Sequence, residues 1–144
     1  MKFKSARILR DAGVVVAVGH TAATFEQARE AIDAGATLLT HAFNGMPGIH
    51  HRAPGPVLAF VADTGAWLEL INDGVHVRPE VIRMLCRLAP GRVALVSDAM
   101  AAAGVGDGLR RHRGEVVFAV ESDLPVGAVL TGLQPRERAE EVFV

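Results

Sequence analysis

The chain has 144 residues, of which 50% are hydrophobic and 22% charged, and its formal net charge is −1. This balance indicates one globular domain with a large core, and it argues against nucleic acid or an anionic membrane as a partner. The single cysteine, Cys86, cannot form an internal disulfide, which fits a cytoplasmic location, and we expect it to pack on a helix face. No apolar run approaches the roughly 20 residues that span a bilayer, so we predict no membrane segment.

Short apolar runs alternate with amphipathic segments along the first hundred residues. In chain order the pattern predicts a strand over 14–18, a helix from Thr24 to Gly35, a strand over 36–40, a helix over 57–62, a strand over 67–71, a helix over 79–88 and a strand over 93–96. Thr24 and Gln27 have the spacing of a helix capping box. The alternation of strands and helices predicts an α/β fold with a parallel sheet.

Side chains with catalytic potential follow each predicted strand. His20 follows the first strand, His41 the second, Asp73 and His76 the third, and Asp98 the fourth. Because the carboxyl ends of parallel strands share one edge, these residues are expected to converge, as in (β/α) barrels and open α/β sheets. Two imidazoles on neighbouring strand ends could bind one divalent metal, and Asp98 could add a carboxylate or act as a base.

Each of these residues also has a purely structural interpretation. A histidine after a strand often makes only a loop or core hydrogen bond, and Asp98 could cap a turn before 100–103. The segment His50–Arg52 could be a solvated polar loop or an anion site, since arginine offers a planar fork suited to phosphate. Residues 44–46 could form an ordinary turn.

Five short motifs occur in a fixed order along the chain. They are Gly-His-Thr-Ala-Ala-Thr at 19–24, Thr-His-Ala-Phe-Asn-Gly-Met at 40–46, His-His-Arg-Ala-Pro-Gly at 50–55, Asp-Gly-Val-His-Val at 73–77 and Ser-Asp-Ala-Met at 97–100. Over about 13–108 the sequence resembles the N-acetylglucosamine-6-phosphate deacetylases of the amidohydrolase superfamily. The resemblance implies a partial (β/α) TIM-like barrel of about four parallel strands. It also implies metal-dependent hydrolysis of the acetamide of N-acetylglucosamine 6-phosphate, giving glucosamine 6-phosphate and acetate.

The resemblance also implies roles for individual residues. The metal ligands would be His20 and His41, the catalytic residue Asp98, and the substrate-binding residues Asn44, Gly45, Arg52, Asp73, Gly74, Val75 and His76. Asp98 would take a proton from the attacking water and deliver it to the leaving amine. The metal in this family is most commonly zinc, with iron and other divalent ions as alternatives.

The sequence departs from the family pattern at two places inside the motifs. Gly45 replaces a usual alanine, and Ala53 replaces a usual glutamate beside Arg52. Family members are also much longer. Their early metal-binding glutamate and a further substrate-binding histidine cannot be placed before His20.

Similarity to the family ends at about Gly108. We therefore expect residues 1–108 to form a partial amidohydrolase barrel, and 109–144 to be a divergent tail that is out of frame or poorly ordered. The expected partner is a phosphosugar rather than nucleic acid or membrane, together with a second copy of the chain or a separately encoded N-terminal half. Two histidines make an incomplete set of zinc ligands, so we expect impaired turnover by the isolated chain. The alternatives are a non-catalytic remnant that binds sugar phosphate and an amidohydrolase for another amide.

Overall fold

Helices and strands alternate along the part of the chain that the computed structural model describes. The described residues are 3–99, together with the backbone of 108–112 and 115–119. The helices are α1 (Lys4–Asp11), α2 (Phe25–Asp33), α3 (Gly55–Ala62) and α4 (Pro79–Leu88). The strands are β1 (Val16–Val18), β2 (Ala36–Leu39), β3 (Trp67–Ile71), β4 (Val93–Val96), β5 (Gly108–His112) and β6 (Glu115–Ala119).

The first four strands form one parallel sheet in the order β1-β2-β3-β4. This confirms the predicted α/β fold of about four parallel strands, and the sheet stays open rather than closing into a barrel. Val18 pairs with Leu39 and Ile71 pairs with Val96, so the ends of β1 and β2 are level, as are those of β3 and β4. The antiparallel pair of β5 and β6 forms a separate two-stranded sheet that the sequence did not predict.

The beginning and end of α2 follow from its sequence. The Thr24 hydroxyl accepts a hydrogen bond from the Gln27 N–H, and the Gln27 side chain accepts one from the Thr24 N–H. These two bonds satisfy N–H groups that a helix start leaves unpaired, and they confirm the predicted capping box. Gly35 follows the helix with a φ of 115°, a conformation that glycine adopts without steric cost.

The core lies between one face of the sheet and the helices. Its largest fully buried side chains include Phe60, Leu39, Leu68, Leu70, Leu85 and Val16. Ala17, Ile71 and Ala94 are buried but lie outside this cluster. Because side chains alternate along a strand, these three residues belong to the other sheet face, which in a closed barrel is the interior.

Two features of the helices differ from the sequence prediction. Cys86 is exposed, so the expectation that it packs was wrong, and α4 buries only a narrow stripe of Ile82 and Leu85. Helix α1 was not predicted. It is fixed by the burial of Ala6, and it contains Arg10, which lies beside Gly35. Among the described residues no helix is long and apolar enough to cross a membrane.

Candidate functional site

The predicted chemical residues occupy equivalent positions at the ends of the four parallel strands. His20, His41, Asp73 and Asp98 are each the second residue after a strand, following β1, β2, β3 and β4 in turn. All four therefore lie at the carboxyl edge of the sheet. Parallel α/β folds place their active sites at this edge, because the loops there carry side chains from distant parts of the sequence together.

Three of these four residues have a backbone conformation that residues other than glycine rarely adopt. The φ angles are 43° at His20, 35° at His41 and 47° at Asp98, all in the left-handed region. Such a conformation costs on the order of 1–3 kcal/mol per residue and persists where the surrounding structure enforces it, most often at functional sites. The backbone strain thus occurs at the same three residues that the sequence predicts to bind metal or to act in catalysis.

The rings of the two strand-end histidines, His20 and His41, lie next to each other in an edge-to-face arrangement. Their ring centroids are 5.8 Å apart and the ring planes are nearly perpendicular, at 88°. The Nδ1 atom of His41 is buried and has no hydrogen-bond partner among the described residues. A buried polar atom without a partner is costly, so this nitrogen is suited to a proton donor or to a cation.

The loop after β2 lies directly against the His20 ring. A Cβ atom at Gly45 would fall 2.6 Å from the Nδ1 of His20, closer than real Cβ atoms approach any neighbour. Gly45 itself has a φ of 61°. The sequence indicated that Gly45 departs from the family pattern, but the contact with His20 depends on tertiary structure and had no sequence signal.

The described residues contain no complete metal site. Catalytic zinc ordinarily has three protein ligands. Within residues 3–99, no group of three histidine, cysteine, aspartate or glutamate side chains could hold a metal ion. The structure therefore brings His20 and His41 together but does not bring Asp98 into a three-residue cluster with them.

Asn44 and Arg52 lie in the same long connection between β2 and α3. The Asn44 side-chain amide donates to the carbonyl groups of His41 and Ala42, at 3.4 Å each, and so braces the loop. The backbone N–H of Arg52 donates to Nδ1 of His50 at 3.3 Å. The Arg52 side chain is exposed, which leaves its guanidinium accessible to an anion.

The loop after β3 is organised by a carboxylate. One Asp73 oxygen accepts hydrogen bonds from the backbone N–H groups of Val75 and His76 at 2.9 Å, and the other lies 2.6 Å from Nδ1 of His76. Partial burial raises the pKa of Asp73, but these backbone bonds and the His76 ring outweigh it and lower the pKa from 3.8 to about 2. The Asp73 side chain is thus ionised at neutral pH. Val75 is 78% exposed, and Gly74 has a φ of 77°.

A groove of about 510 Å³ lies elsewhere, along β1 and between α1 and α2. It is lined mainly by small apolar side chains, among them Ala6, Val16, Ala28 and Ala31. None of the predicted site residues lines it. The chemistry-bearing residues lie instead at the strand ends, outside the lining of this groove.

Two interpretations involve residues beyond the described part of the chain. Asp98 could cap a turn before 100–103, and most of the predicted tail over 109–144 is likewise not described, so both interpretations stay predictions. Sequence reasoning also missed Arg92, which precedes β4 and whose guanidinium donates to four backbone carbonyl groups. No local pattern distinguishes this arginine, because all four acceptors are distant in sequence.

The chain is similar to curated and solved amino-sugar phosphate deacetylases, although no family model matches it. It is 50% identical over 111 residues to an N-acetylgalactosamine-6-phosphate deacetylase of Escherichia coli O157:H7, which covers 77% of this chain. The structure of a variant N-acetyl-D-glucosamine-6-phosphate deacetylase from Mycobacterium smegmatis, in complex with N-acetyl-D-glucosamine-6-phosphate, superposes with a TM-score of 0.73 at 48% identity over 76% of the chain. The N-acetylglucosamine-6-phosphate deacetylase of Thermotoga maritima superposes with a TM-score of 0.75 at 31% identity over 81%.

These matches span only a segment of each relative. The chain covers 29% of the Escherichia coli protein, 29% of the Mycobacterium smegmatis chain and 32% of the Thermotoga maritima chain. The sequence comparison and the structural comparisons therefore agree on the same group of deacetylases. The chain is therefore homologous to one segment of the N-acetylglucosamine- and N-acetylgalactosamine-6-phosphate deacetylases.

Proposed function

We propose that this chain carries part of the active site for the hydrolytic deacetylation of an N-acetylhexosamine 6-phosphate, which yields the free amine and acetate. One observation carries the proposal. His20, His41 and Asp98 lie at the carboxyl edge of a parallel sheet, each on strained backbone, in a chain that is 50% identical over 111 residues to a named deacetylase. We assign this role to residues 1–108 and treat 109–144 as a separate tail.

In this proposal the two histidines hold a divalent metal, most commonly zinc in the family. Such an ion would polarise the amide carbonyl and lower the pKa of a bound water to about 7. The buried and unpartnered Nδ1 of His41 and the perpendicular ring of His20 fit this use. Asp98 is exposed at the same edge, where its carboxylate can accept a proton from water and pass it to the leaving amine.

Recognition of the phosphosugar falls to the loops after β2 and β3. The exposed guanidinium of Arg52 suits the phosphate, because its planar fork matches two phosphate oxygens. Asn44 shapes the loop that presents the Gly45 backbone, and the segment 73–76 presents His76 to the sugar.

The incomplete ligand set favours a second candidate function. Since no group of three metal-ligating side chains exists within residues 3–99, the isolated chain could bind a phosphosugar without hydrolysing it. Turnover would then require the remaining ligand from outside the described residues, for example from a second copy of the chain or a separately encoded N-terminal half.

Acetate release tests the proposal directly. The chain is assayed with zinc on N-acetylglucosamine 6-phosphate, N-acetylgalactosamine 6-phosphate and unphosphorylated N-acetylglucosamine. The proposal expects acetate from a phosphorylated substrate only, with at least a hundredfold loss in D98N, because asparagine cannot accept the proton. Hydrolysis of the unphosphorylated sugar at an equal rate, or full activity in D98N, would contradict it.

Binding measurements separate the two candidates. If no acetate forms, calorimetry with the same phosphosugars reports whether the chain still binds them, and Arg52→Gln is expected to weaken that binding. Binding without turnover supports the second candidate. A chain that neither hydrolyses nor binds any of the three sugars would overturn both.

A further inference from the structure

Among the described residues, the carboxylate of Asp73 makes its hydrogen bonds and its ion pair within its own loop. One oxygen accepts from the N–H groups of Val75 and His76, and the other contacts the Nδ1 atom of His76. Its side chain is 26% exposed, whereas that of His76 is 49% exposed. The histidine, rather than the aspartate, is thus the group that this loop offers to a ligand.

We infer that Asp73 is a positioning residue that keeps the proton of the neutral His76 ring on Nδ1 and leaves Nε2 as the nitrogen that meets the substrate. The part of this inference that concerns the substrate rests on the proposed function. It deepens that function, because it reassigns Asp73 from direct sugar binding to the control of His76. The charge state and tautomer of His76 then decide whether Nε2 accepts or donates a hydrogen bond.

The chemistry of the contact supports this assignment. An ionised carboxylate only accepts hydrogen bonds, so at 2.6 Å the ring nitrogen that faces it must carry the proton. The low pKa of Asp73, about 2, keeps the carboxylate ionised through the range in which histidine titrates. The second oxygen and the two backbone bonds fix the carboxylate itself, since they close the turn over 73–76.

The variant D73N reverses the tautomer if this assignment is correct. Its amide oxygen can keep both backbone bonds, while its NH₂ group would replace the oxygen that faces His76. An NH₂ group donates, so Nδ1 must become the acceptor and the proton must move to Nε2. The opposite orientation of the amide would aim its NH₂ at two N–H donors and is disfavoured.

Asp63 provides a matched control within the same chain. One of its oxygens accepts from the backbone N–H of Gly65 at 2.9 Å, in a similar short turn, and the other pairs with Arg29 at 3.6 Å rather than with a histidine. The variant D63N therefore also removes one negative charge from a turn-forming aspartate, but it leaves the His76 tautomer unchanged. The signals of the His76 ring are assigned as those that are absent from the spectrum of the variant His76→Gln.

The measurement is nitrogen-15 NMR of the imidazole at a pH where the ring is neutral, without metal or sugar. We expect a protonated Nδ1 in the wild-type chain and in D63N, and a protonated Nε2 in D73N. A wild-type ring protonated on Nε2 overturns the inference even if D73N does not fold, and so does an unchanged tautomer in folded D73N. Because no turnover is needed, failure of the deacetylase proposal leaves this result interpretable.

Discussion

At the scale of single residues, Asp73 stabilises the fold through its charge. The carboxylate accepts two backbone hydrogen bonds and contacts the His76 ring, and its pKa in the folded chain is about 2 rather than 3.8. A group whose pKa is depressed by folding contributes stability while it is ionised in both states. As the pH falls, the unfolded chain takes up the proton first, so the contribution disappears.

The downward shift of the Asp73 pKa predicts how the free energy of unfolding depends on pH. The stability difference between the wild-type chain and D73N should be largest above about pH 4 and should narrow as the pH falls toward 2. Urea denaturation of both proteins at pH 6, 4 and 3 measures it. A difference that stays constant from pH 6 to pH 3 would mean that the Asp73 charge contributes nothing to folding.

The residues that carry the chemistry could be nominated from sequence, but their contacts could not. The spacing of His20, His41 and Asp98 placed each just after a predicted strand, and the structure has each two residues past a strand end. The left-handed backbone at these positions and the packing of Gly45 on the His20 ring have no sequence signature. Both arise where loops from different strands meet, which a local pattern does not encode.

At the scale of secondary-structure elements, Arg92 connects the start of β4 to the end of α3. Its Nη1 atom donates to the carbonyl groups of Phe60, Asp63 and Ala66, and its Nη2 atom donates to that of Val61. The last carbonyl groups of a helix lack partners within the helix and carry a partial negative charge. One guanidinium therefore satisfies the end of α3 and fixes the chain that leads into β3.

Removing this guanidinium should destabilise the chain markedly. We expect R92M to lower the free energy of unfolding by about 2–4 kcal/mol, because several carbonyl groups would lose a charge-assisted hydrogen bond. Urea denaturation at pH 7 measures the change. The control is R87M, at an exposed position of α4, which should shift stability by no more than about 0.5 kcal/mol. Equal effects of the two substitutions would refute a capping role for Arg92.

Element boundaries were most predictable where periodicity and turn residues agree. The predicted bounds of β3, α4 and β4 match the structure, since Pro79 and Pro90 delimit the helix and apolar runs define both strands. Strand β1 begins two residues later than predicted, at Val16, because pairing with β2 rather than apolar character decides where a strand starts. Helix α1 depends on its packing against β1 and was missed.

At the scale of the whole molecule, the parallel sheet is open over the described residues, and residues 3–99 contain no group of three metal-ligating side chains. A (β/α) barrel needs eight strands, whereas this parallel sheet has four, with β1 and β4 at its edges. The chain spans 29% of the Escherichia coli relative. Exposed strand edges favour pairing with further strands, so the remaining strands and the third metal ligand are expected to come from outside the described residues.

Metal retention tests this view of the site. After loading with zinc and exhaustive dialysis, we expect the isolated chain to retain well below one zinc per chain, because two imidazoles hold zinc less tightly than three ligands. Plasma mass spectrometry measures the content. The variants H20A and H41A should retain still less, whereas H51A, outside the pair, should behave as the wild-type chain. One tightly held zinc per wild-type chain would show that the ligand set is complete.

The sequence by itself determined the α/β class, the order of the strands and helices along the chain, and the residues that follow the four parallel strands. These features depend on local periodicity, turn chemistry and spacing, which are properties of the local sequence. Only the tertiary structure decided that the His20 and His41 rings contact each other, that Gly45 packs against His20, and that Arg92 donates to the end of α3. Such contacts join groups whose relative positions depend on strand register and loop conformation, and those are set by packing across the whole fold.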